Sequence, residues 1–162
     1  ANTFEGIGVE GSRFNDGGAD IGFGGLFLND IGYTGGLFLA SDERLKTNVK
    51  AINSAVEKIK NIRGVNYQHK LDQYPYLGLA EGNQYGFIAQ ELENVFPELV
   101  QVKALNKNGT KPKSLEMNEK VDMDQFKMVN YTGLIPVLVE AIKEQQAEID
   151  ALKSEIENLK NK

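Results

Sequence analysis

The sequence has no cysteine and no tryptophan, and a single histidine, His69. Without cysteine there can be neither a disulfide framework nor a thiolate metal site. One histidine is too little material for a zinc centre or a Ser-His-Asp triad, so no metal and no cofactor are expected. Basic residues are also in deficit: 18 Lys and Arg stand against 23 Asp and Glu, a net charge of −5. Nucleic-acid binders carry the opposite footprint. No apolar run approaches the roughly 20 residues of a membrane span, and no signal peptide opens the chain. Neither nucleic acid nor membrane is expected as a partner. There is no P-loop and no dinucleotide fingerprint. Gly22-Phe23-Gly24-Gly25 has the glycines of a phosphate loop but no following lysine–hydroxyl pair. A small-molecule α+β enzyme is therefore poorly supported.

What the sequence does contain is 162 residues, 41% hydrophobic and 25% charged. That is one ordinary globular domain, or a small domain with appendages. The chain opens at Ala1 in mid-pattern, as expected of the tail of a longer polypeptide. Its glycines are unevenly spread: 11 of 17 fall in the first 40 residues. This zone repeats itself. Asp20-Ile21-Gly22-Phe23 leads into Gly24-Gly25-Leu26-Phe27-Leu28, and Asp30-Ile31-Gly32-Tyr33 leads into Gly35-Gly36-Leu37-Phe38-Leu39. Glycine pairs suit tight turns, and the Leu-Phe-Leu triplets suit short strands. A strand and turn of about ten residues cannot bury a core alone, so such units stack on neighbours. The alternative is a flexible linker, which the fixed aromatic and aliphatic offsets oppose. Residues 1–40 thus predict a glycine-rich β-repeat, the end of a fibre.

Residues 41 to about 133 predict a compact mixed α+β unit. Ile52, Val56, Ile59 and Ile62 recur at helical spacing, with Asn53 or Ser54 as cap and Gly64 as stop. Val65–His69, Tyr85–Ala89 and Leu99–Leu105 read as strands, and Gln90–Val95 as a short helix closed by Pro97. Asn106-Lys107-Asn108-Gly109 signals a turn, with an exposed polar loop to Lys120. From residue 134 the pattern is heptad, with Ile135, Ile142, Ile149 and Ile156 at a and Leu138, Gln145, Leu152 and Leu159 at d. Seven of these eight positions are apolar, which predicts a coiled coil. Glu148 and Glu155 at g precede Lys153 and Lys160 at the next e, matching a parallel bundle of identical chains. Isoleucine at a with leucine at d leans towards two strands, and Gln145 can shift that number. A single helix packing on its own domain fits the stretch up to Ala141 better than the polar end.

The glycine zone meets the globular zone at Leu39-Ala40-Ser41-Asp42-Glu43-Arg44-Leu45-Lys46. Taken alone, a serine five residues before a lysine is a common feature of polar linkers, with Ser41 or Asp42 as a cap. Its place at a sharp compositional boundary is where a processing site would separate two modules. Ser41-Asp42-Glu43-Arg44-Leu45-Lys46 with the helix after it resembles the opening of the peptidase S74 family. These are the intramolecular chaperone domains of phage tailspike, tail-fibre and endosialidase precursors, found also in the myelin regulatory factor. The resemblance continues through Gly86-Phe87-Ile88-Ala89-Gln90-Glu91-Leu92 and Phe96-Pro97-Glu98-Leu99-Val100. It ends in Val129-Asn130-Tyr131-Thr132-Gly133-Leu134-Ile135-Pro136 and the heptads, covering 41–162.

The resemblance implies a homotrimer built through the coiled coil and the β-repeat. In it a chaperone and self-cleaving domain (41–133) and a coiled-coil helix (134–162) fold their own N-terminal passenger (1–40). It also implies a virion-appendage precursor folded in the bacterial cytoplasm, and a serine–lysine dyad, Ser41 and Lys46, that cuts Ala40–Ser41. Serine needs a base, and lysine, with a reference pKa near 10.4, serves only when burial or nearby positive charge makes it neutral. Positions five apart lie about 140° apart on a helix and on opposite faces of a strand. Ser41 and Lys46 therefore need a turn within Asp42–Leu45, or a lysine from a neighbouring chain. Cleavage is expected to depend on oligomerisation. In supporting roles, Asp42 can orient Lys46 or stabilise the turn, and Arg44 suits an inter-chain ion pair. Gln90, Glu91 and Asn130 are expected at strand–helix junctions, and His69 as a surface or packing residue. The rival reading is a trimeric fibre-tip adhesin that oligomerises without cutting.

Overall fold

A computed structural model describes residues 36–107 and 123–161. The glycine repeat before residue 36 and most of the polar loop to Lys120 lie outside them. The described architecture is mixed α+β, with small sheets and a long C-terminal helix. In chain order the elements are α1 (Ala55–Lys60), β1 (Val65–Tyr67), β2 (Gln84–Gly86), α2 (Ala89–Glu93), β3 (Val100–Asn106), β4 (Met123–Val129) and α3 (Leu134–Lys160). Strand β1 pairs antiparallel with β2, Val65 opposite Gly86 and Tyr67 opposite Gln84; β3 pairs with β4.

The described residues fall into two compact units. The first takes residues 68–82 with the described parts of 102–126. Its aromatic side chains meet edge to face, with ring centres 5.4 Å apart for Tyr74 and Phe126 and 6.4 Å for Tyr74 and Tyr76. The Tyr76 hydroxyl donates to Asp124, which also pairs with Lys107 at 3.2 Å. Leu105 is buried here.

The second unit holds residues 36–67, 83–101 and 127–161. Its core is Ala55, Leu92, Phe96, Leu99, Val100, Leu134, Val137 and Ala141. Ile52, Val56, Ile59 and Ile62 all pack against this core, as their spacing predicts. The helix itself is shorter than that face, because it begins at Ala55 and leaves Ile52 on the approach. Ser54 occupies the cap position in a left-handed conformation (φ 54°) and makes no side-chain cap bond. Pro97 closes the α2 segment within a 3-10 turn, and Asn130 N–H donates to Leu99 O at 2.8 Å. Strand β4 has no counterpart among the sequence expectations, and β1 stops at Tyr67, short of His69.

Helix α3 has two apolar faces. Leu134, Val137 and Ala141, at heptad positions g and c, are buried against the rest of the unit. Ile135, Leu138, Ile142, Ile149, Leu152, Ile156 and Leu159, the a and d residues, stay 45–65% exposed. Packing within the chain therefore consumes one stripe and leaves the heptad seam free. Lys143 pairs with Glu140 at 2.7 Å and Lys153 with Asp150 at 3.7 Å, both along the helix surface. Among the described residues no helix is long and apolar enough to cross a membrane.

Candidate active site

Residues 36–51 are exposed throughout. Leu37, Phe38, Leu39, Leu45 and Val49 are 68–92% exposed, an unusual density of uncovered apolar side chains. Within this arm, Glu43–Leu45 forms a single 3-10 turn. Asp42 caps it: its carboxylate accepts from Arg44 N–H at 2.8 Å. The same carboxylate takes the Arg44 guanidinium in two further bonds of 2.9 Å each. These hydrogen bonds hold the Asp42 carboxyl below its usual pKa, the side-chain pairing with Arg44 contributing most.

The turn reverses the chain and returns Lys46 to Ser41. Lys46 Nζ lies 2.8 Å from Ser41 Oγ and 2.8 Å from Ser41 O. Of the two geometries open to the sequence, the single chain contains the turn. The Arg44 guanidinium meets Asp42, two residues away in a capping geometry, and its side chain stays 88% exposed. Asp42 contacts Arg44 in these bonds, so its placement is that of a turn-stabilising residue. Ala40 is exposed beside Ser41, so the Ala40–Ser41 peptide is sterically open.

A serine hydroxyl and a lysine amine at 2.8 Å can exchange a proton directly, the first requirement of a nucleophile–base pair. The second requirement is a neutral amine, which an apolar surrounding favours. In the single chain Lys46 is exposed.

The other singled-out residues lie within the two folded units. Glu91, on α2, binds Arg63 at 2.6 and 3.2 Å, and this pairing lowers its pKa. Asn130 Oδ1 accepts from Gly133 N–H at 3.2 Å and from Thr132 Oγ1 at 2.8 Å, capping the turn that enters α3. Gln90 lines a shallow cleft of about 320 Å³ with Tyr67, Phe87, Val129 and Tyr131. Gly86 is required there: a Cβ would run into the Tyr131 hydroxyl, which accepts from Phe87 N–H at 3.2 Å. His69 belongs to the other unit and is half-buried. Among the described residues no three His, Cys, Asp or Glu gather as metal ligands. One contact escaped sequence reasoning altogether. Glu144 of α3 accepts from Ala55 N–H at 3.0 Å and Val56 N–H at 2.9 Å.

Comparison with known proteins adds two findings. Residues 41–101 match the peptidase S74 family, described as chaperone of endosialidase, and the match opens at Ser41. Over 140 residues the chain is 30% identical to the long tail fiber protein Gp37 of Salmonella phage S16, covering 86% of this chain and 16% of that protein. It is 30% identical over 121 residues to the proteins of the same name from Enterobacteria phages K3 and T2, covering 74% of this chain and 8% of each. The chain thus spans less than one fifth of the length of these relatives. The family match takes in Ser41–Lys46 and the motifs at Gly86–Leu92 and Phe96–Val100, and the matches support a fibre-associated chaperone role.

Proposed function

Residues 41–101 carry the chaperone of endosialidase pattern, and we propose from it that this chain is the folding and self-releasing end of a phage fibre precursor. Residues 41–133 form the self-cleaving chaperone domain, residues 134–162 trimerise it as a parallel coiled coil, and residues 1–40 are the end of the passenger. The protein folded is its own N-terminal fibre, a virion appendage assembled in the host cytoplasm.

One observation carries the catalytic part: Ser41 Oγ and Lys46 Nζ are 2.8 Å apart at the first residue of the family match. Lys46 Nζ takes the Ser41 hydroxyl proton, and Oγ attacks the carbonyl carbon of Ala40. The tetrahedral intermediate collapses by breaking the Ala40–Ser41 C–N bond. Its nitrogen takes a proton to become the Ser41 amine, while Ala40 remains as an ester on Oγ. Water hydrolyses the ester, leaving an Ala40 carboxylate and a restored Ser41 hydroxyl. The scissile carbonyl adjoins the nucleophile, so proximity replaces a substrate pocket.

Oligomerisation supports the timing. The apolar side chains of the arm and the seam residues of α3 are exposed together in the single chain. Joining copies through the seam removes water from these surfaces and favours the neutral amine that the reaction needs. The test is a denaturing gel of the full chain beside Ser41→Ala and Lys46→Ala. The unmodified chain should split at Ala40–Ser41, and both variants should stay whole. A chain that assembles yet remains whole is a non-cleaving fibre-tip module instead.

A further inference from the structure

We propose that Glu144 is a positioning residue that couples the seam helix to the Ser41–Lys46 segment, an inference that rests on the cleavage reading above. The arm is exposed from residue 36 to residue 51. Its anchorage begins at Ile52 and is complete at Ala55, which is fully buried. Helix α1 starts there without a cap of its own, since Ser54 makes no side-chain bond. The first N–H groups of a helix have no partner within it and must find one elsewhere. Here both oxygens of one carboxylate from α3 supply it, Oε1 to Ala55 and Oε2 to Val56. The Val56 and then the Ala55 N–H groups hold the Glu144 carboxyl below its usual pKa; Lys58 adds a smaller attraction.

Glu144 sits at a heptad c position, between Ile142 at a and Gln145 at d. Its helix therefore offers the seam on one side and grips the root of the arm on another. The connection back to Lys46 is short, residues 47–54. Asn48 and Ser54 within it hold left-handed conformations, φ 53° and 54°, which turn the chain between the dyad and α1. A shift of α3 on seam packing is thus passed through Glu144 to Ala55, the root from which the short connector carries the dyad.

The test uses the full chain. Glu144→Gln should oligomerise like the unmodified chain in sedimentation, yet cut roughly tenfold more slowly, the loss expected for charged hydrogen bonds to a carboxylate. Val137→Ala, which thins the core on the same helix, is the stability control and should cut faster than Glu144→Gln at equal loss of melting temperature. A second readout separates coupling from a purely structural cap. On the Ser41→Ala background, hydrogen exchange at Ala55 and Val56 should slow on assembly and should not do so in Glu144→Gln. Exchange that ignores assembly, or Glu144→Gln cutting at the unmodified rate, overturns the inference. An unmodified chain that assembles but never cuts removes the cleavage reading itself, and the coupling with it.

Discussion

Lys46 Nζ reaches Ser41 Oγ at 2.8 Å within a single chain, across one 3-10 turn capped by Asp42. On the proposed reading, oligomerisation activates this pair and supplies no missing member. Co-assembly of Ser41→Ala chains with Lys46→Ala chains tests this. Every copy in the mixed oligomer lacks one partner in cis, and no fragment should appear on a gel. Fragment released from the Lys46→Ala copies would show a lysine delivered from a neighbour.

Asp42 contributes through the turn. Its carboxylate accepts from Arg44 N–H, and loss of such a cap should slow the reaction roughly fivefold if the turn must be formed for it. Asp42→Ala should therefore slow cutting by about that factor. Asp42→Asn keeps a capping oxygen and gives up only the charge pairing with Arg44, which is solvent-exposed and weak. Its time course on a gel should stay close to that of the unmodified chain.

Much of this was legible in the sequence because its signals are local and periodic. The stripe Ile52, Val56, Ile59 and Ile62 identified a core face, and the heptads identified α3. The spacing of Ser41 and Lys46 demanded either a turn or a second chain, and the structure contains the turn. What the sequence hid depends on distant partners. The acceptor for the start of α1 is Glu144, 88 and 89 residues away, and no local pattern marks it. Strand β4 was missed because Met-Asp-Gln-Phe-Lys-Met-Val lacks a clear alternation of period two. The pairing of Arg44 with Asp42 was hidden as well, because the acceptor becomes suitable only once the 3-10 turn forms.

The Tyr76–Asp124 contact gives a pH signature in the other unit. Burial first, then the hydrogen bond to Asp124, pushes the Tyr76 phenol up to about 12 from 10.0. The folded state thus holds the phenol proton more tightly than the unfolded chain does. This contribution is fully present below pH 10 and is lost as pH rises from 10.0 to about 12. Ultraviolet titration of the tyrosinates should show one late component near 12. Asp124→Asn should move that component only part of the way down, because burial, the larger cause, remains.

The exposed seam of α3 and the buried core should respond oppositely to substitution. Ile142 is 65% exposed at an a position, whereas Val137 is 6% exposed at c. Ile142→Asn removes apolar surface from the seam without opening a cavity in the single chain. Its monomer should melt within about 0.5 kcal/mol of the unmodified protein, as surface changes do. Its oligomer, by contrast, should dissociate at higher concentration in sedimentation, and cutting should fall in proportion to the assembled fraction. Leu92→Ala acts the other way. Its side chain is 1% exposed in the core, so truncation should cost about 2–5 kcal/mol in chemical denaturation. That loss is felt before any copies meet, so raising the protein concentration should restore cutting in Ile142→Asn and leave Leu92→Ala impaired.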